Sequence, residues 1–153
     1  MKSEPSVADR EIVISRVVNA PRELVWEVFT RREHVGEWWG PNGFTLTIHE
    51  MDVRPGGVWR FIMHGPNGVD YPNFVRYTEV VKPERLVFDH GKDEKHIFFR
   101  MTITFAAQGD RTVVTMRQLY DTPEARDHAV KVIKAVEGGN QTFDRLEAYL
   151  AKM

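Results

Sequence analysis

Apolar and polar residues alternate through the middle of the chain. Trp59, Phe61 and Met63 recur at every second position, as do Ile97, Phe99, Met101, Ile103 and Phe105, and Val114 and Met116 continue the pattern. A period of two marks strands with one buried face. It predicts strands at Phe44–Met51, Gly57–His64, Tyr71–Val81, Arg85–His90, Ile97–Ala107 and Thr112–Tyr120, after a β-branched first strand at Glu11–Asn19. Arg60, His64, Arg100, Thr102 and Thr104 take the opposite parity and are expected to face water or a sheet end. Arg54-Pro55-Gly56-Gly57, Gly65-Pro66-Asn67-Gly68, Lys82-Pro83-Glu84 and Gln108-Gly109-Asp110 supply turn chemistry at short spacing, so consecutive strands should pair antiparallel.

A helical period replaces the alternation in two places. After the first strand, Pro21 opens a short helix carrying Leu24, Val25, Val28 and Phe29. Thr30-Arg31-Arg32-Glu33 has capping-box form and predicts a second short helix toward Glu37. At the other end, Thr122-Pro123-Glu124 combines a capping residue, a proline at the first helical position and an acid near the positive helix end. Ala129, Val132, Ile133, Val136, Phe143, Leu146 and Leu150 then keep one stripe, predicting a continuous helix of about 28 residues and roughly 40 Å. The resulting class is α+β: a curved antiparallel sheet whose dry face is covered by a long C-terminal helix, with two short helices after the first strand. Curvature permits a cavity between helix and sheet.

Length and charge narrow the function. A chain of 153 residues without internal repeats reads as a flexible tail over residues 1–10 and a single domain over 11–153. Twenty-one basic against 22 acidic residues leave a formal charge of −1, which provides no field for nucleic acid. The absence of Cys removes disulfide, thiolate-metal and cysteine-nucleophile chemistry. No apolar run approaches the roughly 20 residues of a membrane span, and the polar start lacks a secretory signal, so a cytoplasmic location is the expectation.

Several segments carry a resemblance. Ala20-Pro21-Arg22-Glu23-Leu24-Val25-Trp26 followed by Trp38-Trp39-Gly40-Pro41 resembles the activator of heat-shock protein 90 ATPase homologue family. So do Pro55-Gly56-Gly57-Val58-Trp59-Arg60-Phe61, the Gly65–Gly68 hairpin, Tyr77-Thr78-Glu79-Val80-Val81-Lys82-Pro83-Glu84-Arg85-Leu86 and Phe143-Asp144-Arg145-Leu146, covering about residues 11 to 150. The resemblance implies the SRPBCC superfamily, also called START-like or birch-pollen-allergen-like, with a helix-grip fold and an internal cavity. Its members include hydrophobic-ligand carriers, polyketide cyclases, hydrolases and a co-chaperone tied to the stress response; fold alone does not choose among them. One departure stands out: many relatives have a Gly-Trp pair in the terminal helix where this chain has Gly138-Gly139. The tryptophan's space is then filled by nearby aromatics, closed by a strand, or kept for a ligand.

The candidate lining of an apolar pocket is Trp38, Trp39, Trp59, Phe61, Met63, Tyr77, Phe88, His90, Met101, Met116, Gly139 and Phe143, with ordinary core packing as the competing reading. His90 and His49 are the candidate general bases at a cavity mouth, against solvated strand-end histidines. Glu50, Asp52, Glu79 and Asp89 make a catalytic set only if they converge, and Arg60, Arg100 and Arg117 read either as a head-group clamp or as a salt-bridge ladder. His34, His49, His64, His90, His96 and His128 lack ligand spacing, so no metal and no cofactor are expected. Ser3, Ser6 and Ser15 are the only serines, and there is no Gly-x-Ser-x-Gly elbow, phosphate loop or dinucleotide glycine pattern. The leading expectation is binding of an apolar or aromatic small molecule in a sheet–helix cavity. Its rivals are a cyclase- or hydrolase-type enzyme using His or carboxylate acid–base chemistry, and a chaperone regulator; a homodimer is a further option.

Overall fold

The β-branched run around Ile12, Val13 and Ile14 forms β1 (Glu11–Val18) in the computed structural model, which describes residues 7–153. Two helices follow, α1 (Arg22–Thr30) and α2 (Arg32–Trp38), then β2 (Thr45–Met51), β3 (Val58–His64), β4 (Asp70–Val81), β5 (Arg85–Asp93), β6 (His96–Gln108) and β7 (Arg111–Leu119). All pair antiparallel in one sheet of order β1-β7-β6-β5-β4-β3-β2. Short turns hold consecutive strands side by side, while the α1–α2 excursion carries β2 to the edge opposite β1. Of the expected tail, residues 1–6 lie outside the described residues, and Val7–Arg10 winds into one 3-10 turn. Arg10 Nη1 donates to the Tyr120 carbonyl at 3.1 Å, tying that turn to the end of β7.

Register shifts at Ile48/Glu50, Tyr77/Glu79 and on both sides of Gly91 insert bulges that bend the sheet. Gly91 is obligatory there, since a Cβ would lie 2.0 Å from the His96 carbonyl oxygen. The concave face collects Trp59, Phe61, Val75, Tyr77, Leu86, Phe88, Met101, Ile103, Phe105, Val114 and Met116, all buried. Ile97 departs from the expected dry face: it is 39% exposed, paired with Gly91 between the two register shifts that break the alternation.

Two local expectations are corrected. Thr30 is the last residue of α1, and its hydroxyl donates to the Trp26 carbonyl at 2.8 Å, so no capping box forms and α2 starts without a side-chain cap. A helical Thr has its i−4 carbonyl within reach, and that bond outcompetes a cap one turn onward. The C-terminal helix is also not continuous. α3 (Pro123–His128) begins with the Thr122 cap, whose hydroxyl accepts from the Ala125 amide at 3.0 Å. It then loosens into a π-turn at Ala129–Ile133, and Lys134 takes the left-handed conformation (φ 62°) before α4 (Ala135–Ala151). The β-branched residues Val130, Val132 and Ile133 crowd a tight turn. The wider turn buries Ala129 but leaves Val132 and Ile133 63% and 65% exposed, off the expected stripe.

α4 lies across the concave face and buries Thr142, Phe143, Leu146 and Leu150. Arginines fasten it on two sides. Arg16 of β1 reaches Asp144 at 2.7 Å and Glu147 at 3.4 Å. Arg145 donates through Nη1 to the carbonyls of Trp39, Gly40 and Pro41 at 3.2, 3.0 and 3.0 Å, holding the α2–β2 loop. Its partial burial pulls its pKa down, yet three carbonyl acceptors keep the guanidinium satisfied. Among the described residues, no helix is long and apolar enough to cross a membrane.

Candidate functional site

Where the π-turn passes into α4 at the left-handed Lys134, a groove of about 810 Å³ opens between the helical side and the sheet. The sheet contributes Met63 of β3, Tyr71, Pro72 and Asn73 of β4, Lys92 of β5 and Phe98 of β6. The helical side contributes Val132, Ile133, Lys134, Glu137, Gly138 and Gln141, and the α2–β2 loop adds Pro41 and Phe44. Arg145 holds that loop in place, and Gln141 Oε1 accepts from the Asn42 amide at 3.1 Å. The walls are chiefly apolar, with Asn73, Lys92, Lys134, Glu137 and Gln141 as polar points, which suits an amphipathic guest.

Among the expected lining residues, Met63 reaches this groove. The others meet in a filled core. Trp59 stacks on Phe61 with ring centroids 4.1 Å apart, Trp39 meets Trp59 edge-on at 5.5 Å, and Trp38 meets Phe29 at 4.8 Å while its indole donates to the Val28 carbonyl at 3.1 Å. Tyr77 and Phe88 pack edge to face at 5.6 Å, and burial pushes the Tyr77 phenol pKa well up. Met101, Met116 and Phe143 are buried beside them. Gly139 faces no vacancy: a Cβ there would lie 2.3 Å from Ile14 Cδ1, so β1 has closed the space. Gly138, one residue earlier, borders the groove.

His90 lies behind the groove wall, its ring among Phe61, Phe88 and Phe99. Asn73 Nδ2 donates to the Tyr71 carbonyl at 2.9 Å, which turns its Oδ1 toward His90 Nε2 at 2.7 Å. Nε2 therefore carries the proton, and Nδ1 is a bare acceptor, buried without a partner among the described residues. Burial pulls the His90 pKa down to about 4, so the ring is neutral near pH 7. Trp59 Nε1 is likewise buried and unpaired among the described residues.

The remaining chemical candidates disperse. His49 is exposed. His34 pairs with the Tyr149 hydroxyl at 2.6 Å, His64 with Thr47 and Asp70 at 2.7 Å each, and His96 with Asp93 at 2.8 Å. Glu50, Asp52, Glu79 and Asp89 each pair with an arginine, at 2.7 Å to Arg60, 2.6 Å to Arg54, 3.3 Å to Arg85 and 3.0 Å to Arg100. With Arg117 on Glu11 at 3.1 Å, Arg60 and Arg100 form the ladder reading, not a clamp. No group of three or more His, Asp or Glu suited to a metal occurs among the described residues.

Sequence reasoning missed Phe98, Val132, Ile133 and Lys92 as site residues. One signal was present: Phe98 and Phe99 are adjacent in a strand, so one of the two must leave the dry face.

A family model described as Activator of Hsp90 ATPase homolog 1-like protein matches residues 19–151. Among solved structures, a protein from Arthrobacter aurescens is 21% identical with a TM-score of 0.87, covering 98% of this chain and 91% of its own. One from Nitrosomonas europaea is 23% identical with a TM-score of 0.84, covering 95% and 96%. One from Mycobacterium smegmatis is 23% identical with a TM-score of 0.83, covering 98% and 96%. These likenesses establish a shared helix-grip fold. No curated protein matches the chain.

Proposed function

Because the chain belongs to the Activator of Hsp90 ATPase homolog 1-like family, whose fold is suited to ligand binding, we propose that it binds an apolar or aromatic small molecule in the groove beside Lys134. The observation that carries this reading is the groove itself: about 810 Å³, with Phe44, Met63, Phe98, Val132 and Ile133 offering apolar surface to one guest. Burial of that surface at about 25 cal/mol per Å² supplies the affinity, and Asn73, Gln141 and Lys92 orient a polar end. An acid–base enzyme would want a convergent titratable pair; Glu137 is the groove's one carboxylate, and none of its wall residues is a histidine.

Titration with the apolar dye anilinonaphthalene sulfonate tests the reading. Saturable one-to-one binding is expected, weakened about tenfold by Phe98→Asp, which places a charge on the wall. No saturable binding, or binding indifferent to Phe98→Asp, would overturn it. The regulator reading carried by the family's description is tested separately, by whether the protein changes the Hsp90 ATPase rate.

A further inference from the structure

The groove has a neighbour. Across Phe98 and Ile133 lies a second hollow of about 510 Å³, walled by Phe99, Tyr120, Ala125, His128 and Ala129. Phe98 and Ile133 belong to the walls of both hollows, so these two side chains form the partition. Both are loosely held. Phe98 is 52% exposed beside the β5–β6 turn, and Ile133 is 65% exposed at the end of the π-turn, against the left-handed Lys134. Exposed side chains change rotamer in picoseconds to nanoseconds, so opening the partition requires no unfolding.

The two hollows differ in charge. The second is apolar apart from Asp121, His128 and the Tyr120 hydroxyl, which donates to Gln118 Oε1 at 2.8 Å. The groove instead carries two ammonium groups, Lys92 and Lys134, against the single carboxylate of Glu137. Neither lysine forms an ion pair among the described residues. Two unpaired ammonium groups beside a pair of apolar hollows that share one movable wall complement an anionic head on an extended apolar tail.

We propose that the groove and the second hollow are one two-lobed site for an elongated amphiphile. Its carboxylate head lies at Lys92 and Lys134, and its hydrocarbon tail passes between Phe98 and Ile133 into the second lobe. This inference rests on the ligand-binding reading above and adds the shape and charge of the ligand.

Displacement of anilinonaphthalene sulfonate by hexanoate, decanoate and hexadecanoate below their micellar concentrations, with decanol as the uncharged control, tests it. Affinity is expected to rise about two- to fourfold for each added methylene until the second lobe is full. Ala125→Trp, or His128→Trp should the first variant fail to fold, fills the second lobe; it should abolish the gain from decanoate to hexadecanoate and leave hexanoate within about twofold. Lys92→Gln should weaken decanoate by about fivefold and leave decanol unchanged. Dye binding with no chain-length dependence, or with chain-length dependence untouched by either filler, would overturn the two-lobed site alone. Equal effects of Lys92→Gln on acid and alcohol would overturn the head-group assignment. Failure of the dye itself to bind would remove the underlying reading with it.

Discussion

The adjacent glycines of α4 do opposite jobs although helix propensity treats them alike. A Cβ on Gly138 would meet Pro41 Cγ at 3.4 Å, an ordinary contact, whereas one on Gly139 would collide with Ile14 Cδ1. Gly138→Ala should therefore raise stability by about 1 kcal/mol through helix propensity. Gly139→Ala gains the same propensity but must displace Ile14 Cδ1, so it should fall about 1–2 kcal/mol short of Gly138→Ala, and Ile14→Val, itself costing about 0.5–1.5 kcal/mol, should narrow that gap. Urea unfolding of the double-mutant cycle checks this; additive effects would mean the two side chains do not share the space. His90 gives a second residue-level expectation. Its folded pKa of about 4 lies below the unfolded value of about 6.5, so the unfolded chain takes up a proton that the folded one refuses. Its contribution is intact above pH ~6.5 and falls away as the pH drops toward 4, by about 3 kcal/mol in all. His90→Phe should flatten that part of the stability–pH curve, measured by urea unfolding at pH 7 and pH 4. The carboxylates lowered by exposed partners, Glu27 and Asp93, titrate equally in both proteins and cancel in the comparison.

At the scale of elements, the break in the C-terminal helix opens the groove, and it hinges on one residue. Lys134 sits at φ 62°, a conformation costing an L-residue about 1–2 kcal/mol. Lys134→Gly should stabilise the protein by about 1 kcal/mol, and Lys134→Ala should not, since alanine keeps the Cβ that makes the turn unfavourable. Thermal melts of the pair decide it; equal shifts would show that the turn is unstrained. The strands, the helix after Pro21 and the Thr122 cap were legible in the sequence, because periodicity and capping chemistry are local properties, whereas the second short helix forms without the capping box that predicted it. The break was not. Ala129, Val132, Ile133 and Val136 fit a helical stripe, and the β-branched cluster that loosens the turn is tolerated in many regular helices, so the stripe alone does not reveal that Val132 and Ile133 will face outward. The bulges flanking Gly91 escaped for a similar reason, since they follow from the approach of His96 across the strand pair.

Across the whole molecule, large apolar side chains serve two separate ends, and alternation alone cannot divide them. It identified which residues leave water, but not whether each meets another side chain or a guest. Trp26, Trp38, Trp39 and Trp59 are all buried, each in edge-on or stacked contact with another aromatic ring. None of the four lines the groove or the second lobe. A ligand therefore adds to the core without entering it. At a free concentration of 100 times its dissociation constant it should stabilise the fold by about 2.7 kcal/mol, raising Tm by roughly 5–10 °C for a domain of this size. The tryptophan emission maximum should stay fixed at the same saturation, because no indole changes its surroundings. A rise in Tm together with a shifted emission maximum would place the guest among Trp39, Trp59 and Phe61, and the boundary between filled core and open groove would have to be redrawn.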